Sequence, residues 1–453
     1  MKMKTVIHTL TVLLLFAFCL ATVAGCVSSG SGDGVPTVEE TTKVSTDIAT
    51  EAPTEAPTEA VTEVPEHCLT VDQTWRIVIS EQADDTVRKA ADAMATALKE
   101  KAGLELAVIT DTEAPAHGEI VLGHTNRVDS AAVEKGYVVY TTDESLFLDA
   151  ADSLDLYFGV LAVTDAWLTA DFGLAESGAV TLPESRVADL NGLSTKRDHS
   201  IKILTQNLSC GDDPNGNSVA VRTRRFRKQF AEYKPDLVGT QEATYSWNQF
   251  LKSYCGKDYG MVGCSRDGRE ATTGEWGTIL YRKDRFELLD SDTVWLSDTP
   301  NEVSKVEGAY HLRICTWALL KDLQTGETIL FANTHLDNSN DTVRNEQMNI
   351  MLAYLEDRVG KYPFYLTGDF NYQVDSVPYQ TATENLMDSH KTAWSDLSTE
   401  NRTFHDYKEE YGLEIDFIFH NDKTTPIQYE IISKDYGGRV SDHFGVIAEF
   451  IIE

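Results

Sequence analysis

The chain has 453 residues and a formal net charge of −33 at pH 7. This length exceeds what one ordinary hydrophobic core needs, so we expect two globular domains together with non-globular segments. The large excess of acidic residues excludes a general attraction for nucleic acid or for anionic lipid, because both are negatively charged.

The first 25 residues have the composition of a secretory signal. Lys2 and Lys4 precede an apolar run from Val6 to Val23, which ends in small residues. We predict a signal peptide over residues 1–25. The alternative is a transmembrane anchor, because the run approaches the length of a bilayer span. No basic stop-transfer cluster follows the run, which favours the signal.

The segment LATVAGC at the end of this run resembles the bacterial lipobox, whose cysteine is lipidated after cleavage and becomes the new N-terminus. The resemblance implies that Cys26 is the lipid anchor, with the protein attached to a membrane at the bacterial cell surface and facing outward. Residues 26–66 are mainly Ser, Gly, Thr, Glu, Pro and Ala and include the near-repeat TEAPTEAPTEAVTEVPE. We predict a disordered stalk, because this composition offers too little apolar surface to bury.

The remaining cysteines are Cys68, Cys210, Cys255, Cys264 and Cys315. An odd number without CxxC spacing indicates neither a disulfide framework nor a zinc site. We predict buried free thiols, and a disulfide between Cys255 and Cys264 is the alternative.

Residues 67–191 have the pattern of a small α/β domain. TWRIVIS, ELAVITD and GEIVLGH are typical of strands, GYVVYTT and SLFLDA of a hairpin, and residues 84–102 of an amphipathic helix. A second helix is predicted from about Ser153 to Leu174.

The run EIVLGHTNR, with the hairpin and the helix containing YFGVLAVTDAWL, resembles the small α/β domain that precedes the catalytic barrel in many glycoside hydrolases. No barrel follows here, and no carboxylate pair marks the domain as catalytic. We expect an accessory packing or spacing role, and carbohydrate binding is the alternative.

Residues 198–453 are long enough for a single large α/β domain. Six segments in it place Asp, Glu, Asn or His at an end of a predicted strand, where α/β enzymes commonly build their sites. They are IKILTQNL with Asn207, PDLVGTQEA with Glu242, ETILFANTHLD with His335, FYLTGDFN with Asp369 and Asn371, LEIDFIFH with Asp416, and GGRVSDHFGVIAEF with Asp442 and His443.

The order and spelling of these segments resemble the endonuclease/exonuclease/phosphatase superfamily, which has the deoxyribonuclease-I-like fold. The resemblance covers about Ile201 to Glu453, and TQE, NTHLD, GDFN and SDHF carry it. It implies a four-layer α/β/β/α sandwich of two mixed sheets, with the active site at one end. Together with the small α/β domain before it, the whole chain is of the α/β (α+β) class.

The resemblance also implies a metal site. It makes Glu242 the principal ligand, with Asn207 beside it and Asp442 completing or flanking the set. Oxygen ligands suit Mg²⁺ or Mn²⁺, and the lack of a thiolate or multi-histidine cluster argues against zinc.

The remaining roles follow from the same resemblance. His443 and Asp416 form a histidine–carboxylate couple that moves a proton, and Asp369 orients or deprotonates the attacking water. Asn371 and His335 donate hydrogen bonds to the phosphate oxygens as negative charge builds there.

Four further features have weaker support. Arg313, in YHLRICTW, occupies a position where family members often keep a phosphate-contacting arginine, and a surface ion pair is the alternative. Glu275, in TGEWGTILY, and His405, in RTFHDY, are candidates for substrate contact because they lie beside aromatic residues. The basic stretch Arg222 to Lys228 is predicted to be an exposed helix face, and a phosphate-binding rim is the alternative.

These features predict an Mg²⁺- or Mn²⁺-dependent hydrolase of phosphomonoesters or phosphodiesters, acting as a monomer. Residues 198–453 carry a formal charge of roughly −15, which disfavours a grip on long polyanions. We therefore expect a small or lipid-head-group-like substrate. An extracellular nuclease for nucleic-acid salvage and an inactive surface binding module are the alternatives.

Overall fold

The computed structural model describes residues 68–127, 133, 135–142, 145–167, 180–183, 197–213 and 216–453. The predicted signal peptide, the Cys26 anchor and the stalk lie outside the described residues. None of the helices in these ranges combines the length and the apolar character needed to cross a membrane.

In its described residues the small domain has a five-stranded sheet and two helices, as the sequence predicts; residues 168–174 of the second predicted helix lie outside the described ranges. The strands follow the order β3-β2-β4-β6-β5, in which β2, β3, β4 and β6 are parallel and β5 forms the expected hairpin with β6. The sequence analysis missed a separate antiparallel pair, β1 with β7. The elements are β1 Cys68–Val71, β2 Arg76–Ile79, α1 Asp85–Ala102, β3 Ala107–Thr110, β4 Glu119–Leu122, β5 Tyr137–Thr141, β6 Ser145–Ala150, α2 Ser153–Trp167 and β7 Val180–Pro183.

The first helix shows how local sequence sets these bounds. At its start the Asp84 side chain accepts a hydrogen bond from the backbone N–H of Val87, as an N-cap does. At its end Gly103 takes the left-handed conformation, with φ at 68°, that closes many helices. Met94 and Leu98 lie on the buried side of α1 and pack into the core of the sheet.

The second domain consists of two mixed sheets. One has the order β10-β11-β9-β8-β20-β19-β17 and the other β12-β13-β14-β15-β18-β16. Its elements are β8 Ile201–Asn207, α3 Val219–Tyr233, β9 Leu237–Gln241, α4 Tyr245–Cys255, β10 Tyr259–Val262, β11 Ile279–Arg282, β12 Phe286–Trp295, β13 Ile314–Asp322, β14 Thr328–His335, α5 Asp341–Val359, β15 Phe364–Asp369, α6 Val377–Thr383, β16 Met387–Asp388, α7 Ser389–Thr392, β17 Ser395–Asp396, β18 Asp416–His420, β19 Thr424–Ile432 and β20 Gly445–Ile452.

Alternating side chains divide this domain into four layers. Along β8, Ile203 points into the core between the two sheets, whereas Leu204 points outward to a second core beneath α3 and α4. Along β14, Phe331 points inward and Ala332 points outward to a third core beneath α5 and α6. The architecture confirms the predicted α/β/β/α sandwich.

An aromatic junction joins the two domains. The ring of Trp394 lies 4.7 Å from that of Tyr157 and 5.1 Å from that of Phe158, and Phe158 packs with Ile427 and Ile451. Ile451 is near the end of β20, whereas the candidate residue His443 lies just before β20 begins. The length of this strand therefore puts the junction about 20 Å from that end of the sandwich.

The basic stretch in α3 is an exposed helix face only in part, because Arg224, Arg227 and Lys228 are exposed as predicted and Arg222 and Arg225 are not. Arg222 is fully buried, and its guanidinium donates to the carbonyls of Leu208, Ser209 and Gly211. Arg225 donates to the carbonyl of Arg439 at 2.9 Å. These arginines fix the loops that follow β8 and precede β20.

The described cysteines confirm the prediction of free thiols. Cys255, Cys264 and Cys315 are buried and unpaired, so the alternative of a Cys255–Cys264 disulfide is wrong. Cys210 is also free but exposed, contrary to the prediction of burial.

Candidate active site

Strand register brings three candidate side chains to the same end of one sheet. His335 ends β14, Asp369 ends its parallel neighbour β15, and Asp416 begins β18, which is antiparallel to β15. In the ladder His335 pairs with Asp369, and Asp369 pairs with Asp416. Because side chains alternate between faces, these positions share the inward face with the core residues Phe331 and Tyr365. The three side chains therefore meet between the sheets, at one end of the sandwich.

The facing sheet contributes Asn207 and Glu242. Asn207 ends β8, and Glu242 directly follows the parallel strand β9. Glu242 has a φ of 55°, a left-handed conformation that is uncommon for residues other than glycine and that clusters at functional sites. Its carboxylate accepts hydrogen bonds from Asn207 Nδ2 at 3.0 Å and from the backbone N–H of Cys210 at 2.8 Å. Although burial alone raises the pKa of Glu242, these two bonds hold it below its ordinary value.

His443 and Asp416 form the predicted histidine–carboxylate pair. His443 Nδ1 lies 2.8 Å from Asp416 Oδ2, and both side chains are buried. Burial lowers the pKa of His443, but the carboxylate of Asp416 outweighs it and raises that pKa to about 10. His443 Nε2 faces Asp369, with Oδ2 of the latter 3.8 Å away. The pair can therefore hold a proton on His443 Nε2, the ring nitrogen that faces the carboxylate of Asp369.

Asp369 is the centre of the arrangement. Its Oδ2 accepts from Asn207 Nδ2 at 2.9 Å, and its Oδ1 accepts from the backbone N–H of Asn371 at 3.0 Å. Burial and the neighbouring Asp416 together raise the pKa of Asp369 to about 7. Among the described residues, the positive charge near Asp369 does not offset the effects of burial and of Asp416 on its pKa.

His335 lies on the other side of Asp369, with Nε2 at 3.4 Å from Asp369 Oδ2 and 3.1 Å from Asn371 Nδ2. Its Nδ1 is 3.8 Å from Glu275 Oε2, which also accepts from Arg266 Nη1 at 2.8 Å. Burial, with Arg313 and Arg266 nearby, lowers the pKa of His335 well below its ordinary value. This environment favours the neutral imidazole. Since Asn371 Nδ2 is a donor, Nε2 accepts and the ring proton lies on Nδ1, towards Glu275.

Two groups of side chains could hold a metal ion, and they share Asp369. One is Glu242, His335 and Asp369, and the other is Asp369, Asp416 and His443; in each, the candidate ligand atoms lie within 4.8 Å of one another. The donor set fits a divalent cation, because three carboxylates converge here and the charge of Asp416 adds to burial in raising the pKa of Asp369. Carboxylate and amide oxygens are the ligands that Mg²⁺ and Mn²⁺ prefer.

Asp442, predicted to complete or flank the metal set, belongs to neither group. Its carboxylate accepts from Ser441 Oγ at 2.9 Å, and its carbonyl accepts the backbone N–H groups of His405 and Asp406 at 2.9 and 3.2 Å. Asp369, predicted to orient or deprotonate the attacking water, belongs to both groups.

Comparison with known proteins agrees with this geometry. A model of the endonuclease/exonuclease/phosphatase family matches residues 204–443. The chain belongs to this family. It is therefore a phosphoester hydrolase by family, with a buried candidate metal site.

Several solved structures of the family resemble the chain. An endonuclease/exonuclease/phosphatase from Bacteroides vulgatus is 32% identical, with a TM-score of 0.53, and the match covers 56% of this chain and 99% of that one. A family protein from Bacteroides thetaiotaomicron is 26% identical, with a TM-score of 0.52 and coverage of 56% and 98%. A mannosyl-6-phosphatase from Bacteroides thetaiotaomicron VPI-5482 is 26% identical, with a TM-score of 0.51 and coverage of 56% and 100%. No curated protein matches.

Arg313 is buried rather than on the surface. It is only 3% exposed, its Nε lies 3.6 Å from Asp337 Oδ2, and Nε makes no hydrogen bond to any described residue. Burial and Arg266 lower the pKa of Arg313. The alternative of a surface ion pair is therefore wrong, because the pair with Asp337 is buried.

His405 has a structural environment. It is buried against Phe444, with the two rings 4.3 Å apart, and its Nδ1 accepts from the backbone N–H of Tyr407. Burial and Arg439 lower its pKa to about 3. Glu275, in contrast, is next to His335 and remains a candidate for the site.

Sequence reasoning missed two contributors. Arg266, which pairs with Glu275, lies in the loop SRDGRE and carries no strand-end signal. Phe404, in RTFHDY, packs on the ring of His443 with the centroids 4.8 Å apart. The residue predicted from the same motif is the neighbouring His405.

Proposed function

We propose that the protein is a divalent-metal-dependent phosphatase of small phosphomonoesters, with sugar phosphates as the favoured substrates, anchored at the bacterial cell surface. The observation that carries the proposal is the convergence of Glu242, Asn207 and Asp369 on one side and the His443–Asp416 pair on the other. The similarity to a mannosyl-6-phosphatase, at 26% identity, supports a sugar phosphate as substrate.

The side chains of the site have different roles in phosphoester hydrolysis. Asp369 accepts a hydrogen bond from the attacking water and orients it. His443 Nε2, held in place through Asp416, moves a proton to or from the phosphoryl group or the attacking water. Arg313 and Asn371 donate hydrogen bonds to the phosphate oxygens. Glu242 and Asn207 would hold the metal ion together with Asp369. Such an ion, when bound, would stabilise the negative charge that develops on the phosphoryl group.

A polar cavity whose lining residues are close in sequence to Asn371 and Asp416 supports a small, hydroxyl-rich substrate. Its volume is about 580 Å³, and its walls come from the loop after Asn371 and from the loop before Asp416. Arg402 is the only cation among its lining residues. A surface so acidic repels polyanionic nucleic acid but offers hydrogen-bond acceptors to sugar hydroxyls. The acidic members of the lining are Glu400, Glu409, Glu410 and Glu414.

The surface location rests on the signal, lipobox and stalk of the sequence. The Cys26→Ser variant tests it directly. We expect wild-type protein to fractionate with membranes and to incorporate radiolabelled palmitate, and the variant to do neither. Equal labelling of the two proteins would contradict the lipid anchor.

The reaction is tested by measuring hydrolysis by the mature chain in Mg²⁺ or Mn²⁺, with EDTA controls. The panel contains mannose 6-phosphate, glucose 6-phosphate, p-nitrophenyl phosphate, bis-p-nitrophenyl phosphate, sphingomyelin and plasmid DNA. We expect metal-dependent phosphate release from the monoesters and little cleavage of DNA. Cleavage of DNA in preference to the monoesters would replace the proposal with a nuclease. Metal binding without any turnover would replace it with an inactive binding module.

A further inference from the structure

The residue Thr403 is bonded to the backbone on both sides of the His443–Asp416 pair. Thr403 is fully buried, and its Oγ1 accepts the backbone N–H groups of Ile415 and Asp416, each at 3.0 Å. Its carbonyl accepts the backbone N–H of Phe444 at 2.7 Å. One residue thus fixes Asp416 itself and the residue next to His443.

Neighbouring contacts make this connection rigid. The backbone N–H of Thr403 donates to the carbonyl of Leu413 at 2.9 Å, and Phe404 and Leu413 exchange two further backbone bonds. Phe404 forms a backbone bridge with His443, and its ring packs on the imidazole. The loop that begins at Thr403 is therefore closed on itself beside the pair.

The need for such a device follows from where Asp416 lies. Asp416 is the first residue of β18, and the two residues before it, Glu414 and Ile415, belong to no strand. The 2.8 Å bond between His443 Nδ1 and Asp416 Oδ2 joins two chain segments 27 residues apart. A hydroxyl has the two lone pairs required to hold two N–H groups at once, and only Ser or Thr supplies one at this size.

We propose that Thr403 is a positioning residue for the acid–base pair: its hydroxyl sets the backbone of Asp416, and its carbonyl sets that of His443. This inference rests on the proposed function, because it assumes that the pair moves a proton during turnover. Displacement of a reacting group by about 1 Å can cost about a hundredfold in rate, so loss of the hydroxyl should slow the chemical step.

The test compares Thr403→Val, which removes the hydroxyl at nearly constant size, with Thr403→Ser, which keeps it. The matched control is Thr424→Val, which removes a hydroxyl equally buried in β19 and bonded to Asn421 and His420. For each full-length variant kcat and KM are measured with p-nitrophenyl phosphate and Mg²⁺, together with the melting temperature. We expect Thr403→Val to lower kcat by about tenfold to a hundredfold with KM within about twofold. Thr403→Ser and Thr424→Val should keep kcat within about threefold of wild type.

A double variant separates positioning from general stability. If Thr403 acts through the pair, Thr403→Val should cause little further loss of kcat when added to His443→Ala. The inference is overturned if folded Thr403→Val keeps wild-type kcat, or if its loss is undiminished in the His443→Ala background. Should Thr403→Val fail to fold, Thr403→Cys replaces it, because a thiol is a weaker acceptor of similar size.

The same experiments distinguish this inference from the proposed function. Full activity of His443→Ala would remove the acid–base pair from the mechanism and the proposed function with it. Loss of activity in His443→Ala alongside normal turnover in Thr403→Val would leave the proposed function intact and remove only the role of Thr403.

Discussion

Two buried charge clusters in the molecule differ in how they are neutralised. In the small domain, Glu119 Oε1 lies 2.6 Å from Arg76 Nη2, and Glu119 Oε2 lies 2.7 Å from Arg127 Nε. Two guanidinium groups therefore face a single carboxylate. In the active site, three carboxylates surround one imidazolium, that of His443. The first cluster is balanced by positive charge within the chain, whereas the second has more negative than positive side chains among the described residues.

One carboxylate in each cluster shows the difference, because the pKa values of Glu119 and Asp369 move in opposite directions. Burial raises the pKa of Glu119, but hydrogen bonds from Arg127 and Arg76 outweigh it and hold the pKa below its ordinary value. At Asp369 burial and Asp416 act together, and the pKa rises to about 7. Glu119 thus favours the folded state as a carboxylate, whereas ionised Asp369 opposes it. This difference distinguishes the Glu119 cluster, which stabilises the fold, from the Asp369 cluster, which belongs to the candidate active site.

The largest effect is expected from Glu119→Gln in the small domain. Removing the carboxylate leaves Arg127 buried without its charge partner, so we expect a loss of about 3–5 kcal/mol in the free energy of unfolding. Urea denaturation measures it. The control is Glu105→Gln, which breaks the exposed pair with Lys99 and should leave the stability nearly unchanged. Equal losses in the two variants would refute the structural role of the Glu119 cluster.

The same variant should change the dependence of stability on pH. Because the pKa of Glu119 is lower in the folded state, its contribution is fully present above the unfolded pKa, about 4.3 for glutamate. It is lost as the pH falls through the folded-state pKa. The difference in melting temperature between wild type and Glu119→Gln should therefore be constant from pH 6 to 8 and shrink below about pH 4.

The second effect is on catalysis. Glu242→Ala and His443→Ala should each lower kcat at least about a hundredfold, which corresponds to about 2.7 kcal/mol of transition-state stabilisation. Circular dichroism should show an unchanged fold. His405→Gln is the matched control, because His405 is a buried histidine outside the catalytic cluster. Near-wild-type rates in either alanine variant would remove that residue from the mechanism.

The sequence predicted the strand-end residues of the site because each lies in a short motif that strand register brings to one place. Asn207, Glu242, His335, Asp369 and Asp416 are of this kind. The two α/β domains also followed from hydrophobic periodicity. These features depend on local sequence and on the alternation of side chains along strands.

What the sequence did not predict depends on contacts between distant loops. Arg222 is buried because the carbonyls of residues 208–211 turn towards it, and no periodic pattern records such a turn. Thr403 and Arg266 reach the site from loops whose paths are set by packing.

A third prediction concerns the aromatic junction between the two domains. Trp394 is half-buried at the junction, so Trp394→Ala should lower the free energy of unfolding by about 2 kcal/mol, less than a fully buried Trp. Leu397→Ala, at a site 49% exposed nearby, is the control. Activity per folded molecule should not change, since the junction lies about 20 Å from the site. A large fall in kcat would mean that the small domain shapes the active site after all.

The smallest effect reverses the sign of the first. In EDTA at pH 8, Asp369→Asn removes one of three mutually repelling carboxylates, and we expect a gain of about 1 kcal/mol in stability with loss of activity. Asp322→Asn is the control, because that equally buried carboxylate has a cationic partner, Arg285, whose Nη2 lies 3.0 Å from Asp322 Oδ2. Mg²⁺ should raise the melting temperature of wild type but much less that of Asp369→Asn. If Asp369→Asn is instead destabilised as strongly as Glu119→Gln, the active-site carboxylates are already compensated, and the case for a bound cation at Asp369 fails.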